Sequence, residues 1–328
     1  MTVLVTGGAG YIGSHMVKLL RERGRRVVVL DNLSTGHRDA VTGAEFIEGD
    51  VGDAGKVAAL LAAHSIKAVI HFAAYSLVAE SVADPKKYYA NNVDATLRML
   101  GAMSEARVGR IVFSSTAAVY GEPRASPIEE SHPREPINPY GECKLAVERA
   151  LDELHAANGL RSASLRYFNA AGADPEGSLG ERHDPETHLI PLVLQAASGR
   201  RPAVAVYGAD YPTRDGTCVR DYVHVNDLCD AHLLALEWLE GGGGRAAFNL
   251  GSESGATVME VIEAARRETG APIDARIEAR RAGDPAVLVA SCEQARRVLG
   301  WSAKRSDLAT IVRDAWRWEC SRAGGPPA

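Results

Sequence analysis

The sequence predicts an α/β protein: a doubly wound parallel sheet followed by a second, smaller mixed α/β domain. Short apolar runs alternate with amphipathic segments through the first half of the chain. A glycine-rich turn follows the first of these runs directly. After residue 170 a long polar stretch and mixed short elements replace the alternation. We therefore expect domains at 1–170 and 171–328, with segments near 220–250 as candidates to return to the first domain.

The first strand–turn–helix–strand unit carries a phosphate-binding pattern. Residues 3–5 are apolar, and Gly7, Gly10 and Gly13 follow as G-x-x-G-x-x-G before an amphipathic helix. Glycine permits a tight turn and lets backbone N–H groups approach a pyrophosphate at the helix N-terminus. A second apolar strand ends at Asp31, where a carboxylate would bind the adenine ribose hydroxyls and repel a 2′-phosphate. The unit predicts a Rossmann fold that binds NAD rather than NADP.

The βα alternation continues to Asn169. Ligands of such sheets bind outside the carboxyl ends of the strands. The glycine turn, Thr116 and Asn169 all fall at strand ends, and Asp50 is placed to reach the adenine. The remaining predicted strands of this half lie at 46–51, 68–74, 111–113 and 164–168.

The second half has no nucleotide fingerprint, so we expect it to bind a substrate, with its cleft against the carboxyl edge of the sheet. Its predicted elements are a helix at 189–199, a strand at 204–207, an extended stretch at 217–225, a helix at 227–240, a strand at 248–251, a helix from 258 and a last helix around 308–315.

Tyr140 and Lys144 are four residues apart, so on a helix they share one face. A phenol has a pKa of about 10 and is a poor base at neutral pH, but a nearby cation lowers that value. The spacing predicts a tyrosine that can take and return a proton. The spacing alone is also found on ordinary surface helices, so the surrounding chain must decide its meaning.

Composition and charge exclude several classes of protein. A net charge of −5 argues against a nucleic-acid binder. The five cysteines include no Cys-x-x-Cys pair, which predicts reduced thiols and no metal site. No apolar run is long enough to span a bilayer, and no secretion signal is apparent, so we expect a cytoplasmic protein without membrane contact.

The glycine turn, Ser114-Ser115-Thr116, Tyr140 and Lys144 together resemble the extended short-chain dehydrogenase/reductase family. Further stretches make nearly the whole chain similar to the UDP-hexose 4-epimerases of that family. These stretches are residues 71–81, 88–93, 166–169, 207–217 and 219–225.

The resemblance implies an isomerase that interconverts UDP-glucose and UDP-galactose. C4 of the sugar would give a hydride to tightly held NAD, the 4-keto sugar would turn over, and the hydride would return to the other face. Tyr140 would act as base and then as acid. Lys144 would bond the nicotinamide ribose and, with the cationic nicotinamide, lower the tyrosine pKa. Thr116 would hydrogen-bond the 4-oxygen.

The resemblance also implies two sets of binding residues. The cofactor set, beside Tyr140 and Lys144, comprises Gly7, Gly10, Tyr11, Ile12, Gly13, Asp31, Asn32, Asp50, Val51, Phe72, Ala73, Ala74, Asn91 and Phe168. The UDP-sugar set, beside Thr116 and Tyr140, comprises Asn169, His188, Leu189, Ala205, Val206, Tyr207, Arg220, Arg281 and Asp284. The guanidinium groups of Arg220 and Arg281 suit a pyrophosphate, although either could serve in a structural salt bridge.

Four positions depart from the family pattern. Thr116 replaces a serine but keeps the hydroxyl, and Ser76 stands where a lysine often helps to bind the cofactor phosphates. His188 replaces an asparagine near the sugar phosphate. Leu288 stands where a tyrosine limits the room beside the sugar 2-substituent, so UDP-N-acetylhexosamines stay open as substrates.

The two residues after Thr116 distinguish this chain from other enzymes of similar sequence. Related dehydratases carry Asp-Glu there and decarboxylases a glutamate at the second position, whereas this chain has Ala117 and Ala118. A 4-epimerase of a uronic-acid sugar and a non-catalytic NAD-binding sensor stay open. Similar enzymes pair through helices near 86–107 and 140–157, so we expect a homodimer.

Overall fold

Seven parallel strands form the central sheet. The structure, a computed structural model, describes residues 1–281 and 284–323. The strands of the central sheet are β1 (Thr2–Thr6), β2 (Arg26–Asp31), β3 (Glu45–Glu48), β4 (Ile66–His71), β5 (Arg110–Ser114), β6 (Arg161–Tyr167) and β11 (Arg245–Leu250). Across the sheet they lie in the order β11-β6-β5-β4-β1-β2-β3. The predicted doubly wound parallel sheet is confirmed.

Helices cover both faces of this sheet, which explains why its strands are apolar on both sides. In β1, Val3 and Val5 belong to one buried cluster and Leu4 to the other. The helices of the large unit are α1 (Tyr11–Glu22), α2 (Ala54–Ala63), α3 (Val78–Ala83), α4 (Pro85–Tyr88), α5 (Ala95–Glu105), α6 (Pro139–Asn158) and α8 (Val225–Glu240). Helices α1 and α8 pack together on one face, whereas α2 and α5 pack together on the other.

A smaller unit packs helices α7 (Leu189–Ala197), α9 (Val258–Thr269) and α11 (Leu308–Ala323) against short strands. Its short strands, with those that link it to the large unit, are β7 (Asn169–Ala171), β8 (Val204–Tyr207), β9 (Val219–Arg220), β10 (Tyr222–His224), β12 (Ala256–Thr257), β13 (Ala275–Glu278) and β14 (Val287–Leu288). A last short helix, α10 (Glu293–Leu299), packs on β11.

The chain returns to the large sheet after its first crossing into the smaller unit. Strand β11 pairs with β6 in parallel register, with Phe248 opposite Leu165. Helix α8 packs on α1, and both contribute to one buried cluster. The segments near 220–250 thus include part of the large unit, while a division at residue 170 stays a prediction.

The helix expected near 86–107 is interrupted by a π-helical turn at Tyr89–Asp94. The Asn92 carboxamide lies beneath it and pairs with the backbone of Tyr75, accepting from the N–H and donating to the carbonyl, each at 2.9 Å. A π turn shifts the helix register by one residue and is common at functional sites. The apolar spacing of the sequence does not reveal this turn, and the contact that holds Asn92 within it spans 17 residues.

Helix α6 has well-formed ends. The Asn138 side chain accepts from the N–H of Gly141 at 2.9 Å, and Pro139 occupies the first turn. Gly159 ends the helix in the left-handed conformation with φ +75°. These caps fix where the helix begins, and hence the position of Tyr140 in its first turn. None of the helices in residues 1–281 and 284–323 is both long and apolar enough to span a bilayer.

Candidate active site

The glycine turn between β1 and α1 leaves no room for side chains. Gly7 has φ +69°, and a Cβ there would lie 2.5 Å from the backbone nitrogen of Ala73. A Cβ on Gly13 would lie 2.1 Å from the Gly7 carbonyl oxygen. Gly10 caps α1 without any side-chain hydrogen bond, so the first N–H groups of the helix are free to face an anion. The turn has the shape and polarity that a dinucleotide pyrophosphate requires.

Asp31 lies at the end of β2, beside this turn, and is buried. Its carboxylate accepts from the N–H of Ala9 at 2.9 Å and from the N–H of Leu33 at 2.8 Å. These two bonds fix its orientation and leave lone pairs for further donors. The Asn32 side chain donates to Asp50 at 2.9 Å, so two further predicted cofactor residues meet here.

The other predicted cofactor residues surround the turn in different ways. Phe72 donates its N–H to the carbonyl of Thr6 and packs on His232 at 4.7 Å between ring centroids. The Tyr11 hydroxyl donates to the Gly172 carbonyl at 2.6 Å, tying the turn to the second half of the chain. Asn91 lies in the π turn and donates to Asn92 at 2.9 Å. Three more of the set pack against buried clusters or are themselves buried: Ile12, Val51 and Phe168. Ala74 follows β4 and is partly buried.

Thr116, Tyr140 and Lys144 meet at the carboxyl end of β5. The Lys144 side chain is 3% exposed, and its ammonium donates to the Ser114 carbonyl at 2.8 Å. The same ammonium lies 5.9 Å from the centroid of the Tyr140 ring. Thr116 caps a 3₁₀ turn at Ala117–Tyr120, where its hydroxyl accepts from the N–H of Ala118 at 3.1 Å, and it lies close enough to the Tyr140 phenol to lower the pKa of that group. The predicted catalytic trio is therefore assembled by the fold.

Burial, rather than the lysine charge, dominates the acidity of the phenol. Burial raises the pKa of Tyr140 to about 12, and the nearby Thr116 side chain partly opposes this shift. Burial also lowers the pKa of Lys144 to about 8. The Lys144 ammonium lies 5.9 Å from the centroid of the Tyr140 ring and is held by a carbonyl, and the lowering of the tyrosine pKa by Lys144 together with the cationic nicotinamide stays a prediction.

The substrate candidates on β9 and beyond are paired with one another. Arg220 donates to the Asp284 carboxylate at 2.6 Å and to the Pro285 carbonyl at 2.9 Å. Its side chain is 12% exposed. The guanidinium of Arg281 stacks 3.8 Å from the ring centroid of Tyr207. Arg220 thus makes a structural salt bridge with Asp284, and Arg281 is the more accessible of the two arginines.

Strand β8 presents its residues alternately. Val206 is fully buried in the core of the smaller unit, so only its backbone can contact a ligand. Ala205 and Tyr207 point to the opposite, partly exposed side. Leu189 begins α7 directly after His188, the residue that precedes the helix. Asn169 lies on β7 at the end of β6.

Leu288 lies between strand β9, which carries the predicted substrate residue Arg220, and the 3₁₀ turn that follows Thr116. It lies on β14 opposite Arg220 of β9. Together with Ala117 and Phe168, it packs against a buried cluster that contains Val119. Predicted cofactor, catalytic and substrate residues therefore line one region at the carboxyl edge of the sheet.

A cavity beside the glycine turn is lined mostly by residues that the sequence did not single out. Between the glycine turn and residues 178–183 lies a cavity lined by Gly10, Thr35, Arg182 and Trp318. The Arg182 carbonyl is hydrogen-bonded to the His37 ring at 2.8 Å. The polar stretch after β7 thus covers the turn of the first domain instead of forming an independent loop.

The end of β5 is held by a buried ion pair that sequence reasoning also missed. Glu148 of α6 is paired with Arg166 of β6, and the two side chains are 2% and 4% exposed. Glu148 also accepts from the Ser115 hydroxyl at 2.6 Å. The spacing in the sequence could have pointed to Glu148, because it lies four residues after Lys144 and therefore on the same helix face.

Comparison with known proteins agrees with this geometry. Residues 3–251 match the model of the NAD dependent epimerase/dehydratase family. The chain belongs to this family.

Relatives and solved structures of the family cover nearly the whole chain. A UDP-glucose 4-epimerase of Halalkalibacterium halodurans is 55% identical over 97% of this chain and 95% of its own. The structure of a UDP-glucose 4-epimerase from Brucella ovis in complex with NAD is 50% identical, with a TM-score of 0.94 over 96% of this chain and 97% of that one. A UDP-Glc/GlcNAc 4-epimerase from Campylobacter jejuni is 39% identical, with a TM-score of 0.86 over 98% and 99% of the two chains. The predicted resemblance is confirmed.

Proposed function

We propose that this chain interconverts UDP-glucose and UDP-galactose by transient oxidation at C4 of the sugar. The observation that carries the proposal is the assembly of Thr116, Tyr140 and Lys144 at the end of β5, next to the glycine turn. The prediction of an NAD-dependent isomerase is confirmed by the family and its relatives.

The chain offers a fitting site for NAD. The glycine turn would hold the pyrophosphate, and Asp31, Asn32 and Asp50 would hold the adenosine. The cofactor prediction is confirmed by the family and by the NAD complex of the Brucella ovis relative. NAD, when bound, accepts and returns the hydride of sugar C4, and its oxidised nicotinamide supplies a positive charge.

Tyr140 moves the proton in this proposal. Its phenol would take the proton of the sugar 4-hydroxyl and return it to the 4-keto oxygen, while Thr116 orients that oxygen. Burial makes the free phenol a weak acid, so a positive charge close to the ring is needed to poise it near neutral pH. Lys144, fixed by the Ser114 carbonyl, keeps two ammonium protons for other partners.

The smaller unit would hold the UDP group. Arg281 and Arg220 offer guanidinium donors to the pyrophosphate, and Asp284 would accept from the uridine ribose. Val206 would contribute its backbone alone. His188 and Leu189 lie at the start of α7, whose N-terminus favours phosphate oxygens. Ala117 and Ala118 support redox chemistry at C4 without elimination, because neither supplies an acid.

A coupled assay with UDP-galactose, UDP-N-acetylgalactosamine and UDP-glucuronate in parallel tests this proposal. We expect the highest kcat/KM for UDP-galactose. A preference for UDP-glucuronate would contradict the proposed substrate. No turnover, and no rise in NADH absorbance on adding UMP with a free sugar, would favour a non-catalytic sensor.

UDP-N-acetylhexosamine is a second candidate substrate. Leu288, rather than a tyrosine, lies between the substrate strand and the catalytic turn, which leaves more room beside the sugar 2-substituent. The Campylobacter jejuni relative is itself named for both sugars. Leu288→Tyr should reduce turnover of the N-acetyl sugar much more than that of UDP-galactose. If the wild type does not turn over the N-acetyl sugar, the second candidate is wrong.

We also propose a cytoplasmic homodimer that pairs through helices α5 and α6. Tyr89 and Leu97, near the start of this surface, are 38% and 42% exposed. The Tyr89 hydroxyl donates to Glu142 at 2.5 Å, which joins the two helical segments into one surface. Sedimentation at micromolar concentration should give twice the mass of the chain, and a monomer would contradict the proposal.

A further inference from the structure

Four side chains with metal-ligating groups converge in one short segment. Glu181, His183, Glu186 and His188 lie before α7, and each offers one ligand atom within 4.8 Å of the others. The segment has the spacing Glu-x-His-x-x-Glu-x-His. Because the ligands are close in sequence, little chain entropy is lost in closing the loop around an ion.

The distances between these atoms fit a tetrahedral metal. His183 Nδ1 lies 3.0 Å from a Glu181 oxygen and 3.7 Å from a Glu186 oxygen. His188 Nδ1 lies 2.8 Å from Glu181 and 3.0 Å from Glu186. Ligands about 2.0–2.1 Å from a zinc ion are separated by about 3.3 Å at the edges of a tetrahedron. Both imidazole nitrogens and one Glu181 oxygen are therefore near the positions they would take around such an ion, and Glu186 presents one oxygen to each imidazole.

The two carboxylates are paired in this loop only with the two histidines. The side chains of Glu181 and Glu186 are each 7% exposed. No lysine or arginine of residues 1–281 and 284–323 forms an ion pair with either carboxylate. Burying a carboxylate is costly unless it is paired with a cation. A divalent cation would balance both carboxylates and use both imidazoles as neutral ligands.

Neighbouring groups fix the orientation of these ligands. The Glu186 carboxylate accepts from the backbone N–H groups of Thr187 and His188, at 2.8 and 2.9 Å, through one oxygen. Trp318 of α11 donates to the backbone carbonyl of Glu181 at 2.9 Å. Such outer contacts hold metal ligands in place and tune their affinity.

We propose that Glu181, His183, Glu186 and His188 form a structural site for a divalent transition metal, of which Zn²⁺ fits best. Two imidazoles with two carboxylates favour zinc over magnesium or calcium, which prefer oxygen ligands alone. The ion would join the loop that covers the glycine turn to the start of α7. This departs from the expectation of no metal site, which was based on cysteine spacing.

His188 also belongs to the proposed UDP-sugar set, so the metal site is tested by metal binding alone, without reference to turnover. Tag-free full-length chain, stripped with EDTA, is dialysed against Zn²⁺ in the presence of excess Mg²⁺, and bound metal is measured by mass spectrometry. We expect one zinc per chain and a higher melting temperature with zinc. Co²⁺ in place of zinc should give the intense visible absorption of a tetrahedral site. A chain that retains no zinc at micromolar free metal would overturn the proposal.

Variants separate this site from unspecific binding by histidine. His183→Gln and the isosteric Glu181→Gln should each weaken zinc binding by about 10²-fold or more, beyond the loss expected for an outer-shell partner. The control is His64→Gln, because His64 also faces a carboxylate, that of Glu45 at 3.3 Å, but has no second ligand pair. Circular dichroism verifies that each variant folds. Equal zinc affinity in the wild type and both cluster variants would refute the site.

Discussion

The buried pair Glu148–Arg166 gives the sharpest test of how the catalytic helix is held. Both oxygens of Glu148 are used: one accepts from the Ser115 hydroxyl and Arg166 Nε, the other from Arg166 and Arg134. Replacing Glu148 by leucine removes all four bonds and leaves the Arg166 charge buried. Removing one partner of a buried pair usually costs about 3–5 kcal/mol.

The structure places Glu148→Leu near the middle of that range. Arg166 keeps the Tyr120 hydroxyl as an acceptor at 2.8 Å, but its other two nitrogens lose their carboxylate. We expect a loss of about 4 kcal/mol in the free energy of unfolding. Arg166→Met should cost about 3 kcal/mol, because Glu148 keeps Ser115 and Arg134 as donors. Together, the two substitutions remove both charges, so the double variant should be at least about 2 kcal/mol more stable than additivity predicts.

Urea unfolding of the NAD-saturated chain, followed by circular dichroism, measures the stability of the wild type, the two single variants and the double variant, which together form a double-mutant cycle. Burial alone would raise the pKa of Glu148, but the hydrogen bonds and charge of Arg166 outweigh it and hold the pKa below its usual range. The stabilisation is therefore full above about pH 4.3, where unfolded glutamates titrate, and is lost as the pH falls below it. A loss under about 1 kcal/mol for Glu148→Leu near neutral pH, or an additive cycle, would refute the reasoning.

Three further substitutions test the site and the core. Tyr140→Phe should retain NAD and UDP binding but lower kcat by about 10²–10⁴-fold, and near-wild-type turnover would remove the phenol from the mechanism. Gly13→Ala should weaken NAD binding by about tenfold or more, because its Cβ would meet the Gly7 carbonyl; Gly101→Ala, in open space on α5, is the matched control in the same NAD titration. Burial lowers the pKa of His71 to about 3, whereas an unfolded histidine titrates near 6.5, so the unfolded chain binds the extra proton between these values and stability rises with pH there. His71→Gln should therefore reduce the slope of unfolding free energy against pH in that window, by an amount equivalent to the uptake of up to one proton on unfolding. An unchanged slope would contradict the low pKa of His71.

The sheet and the cofactor turn were predictable because their signals are local. The apolar strands and the glycines at 7, 10 and 13 lie within short windows, and a parallel sheet brings strand ends to one edge. That rule placed Thr116 at a strand end, and the family resemblance placed Tyr140 beside it. What these windows could not show is how Tyr140 titrates, because burial is a property of the assembled site.

Long-range polar pairs account for what was missed. The pairing of Arg166 with Glu148 and the contact of Asn92 with Tyr75 both cross between separate elements. The histidines of residues 181–188 were visible in the sequence, but only His188 was selected, as a substrate residue. Their convergence depends on how that loop folds over the first domain.

The catalytic spacing is part of a longer stripe on α6. Tyr140, Lys144 and Glu148 are four apart, and each faces one of three consecutive residues at the end of β5. Lys144 donates to the Ser114 carbonyl, Glu148 accepts from the Ser115 hydroxyl, and Thr116 is close enough to Tyr140 to lower the pKa of its phenol. Side chains four apart project from one face of a helix, so a single face of α6 can serve all three residues of the strand end. The distance between the phenol and Thr116 is then set by two buried contacts further along the helix. A substitution at Glu148 should therefore lower kcat more than it changes KM, although the carboxylate lies two helical turns from the phenol.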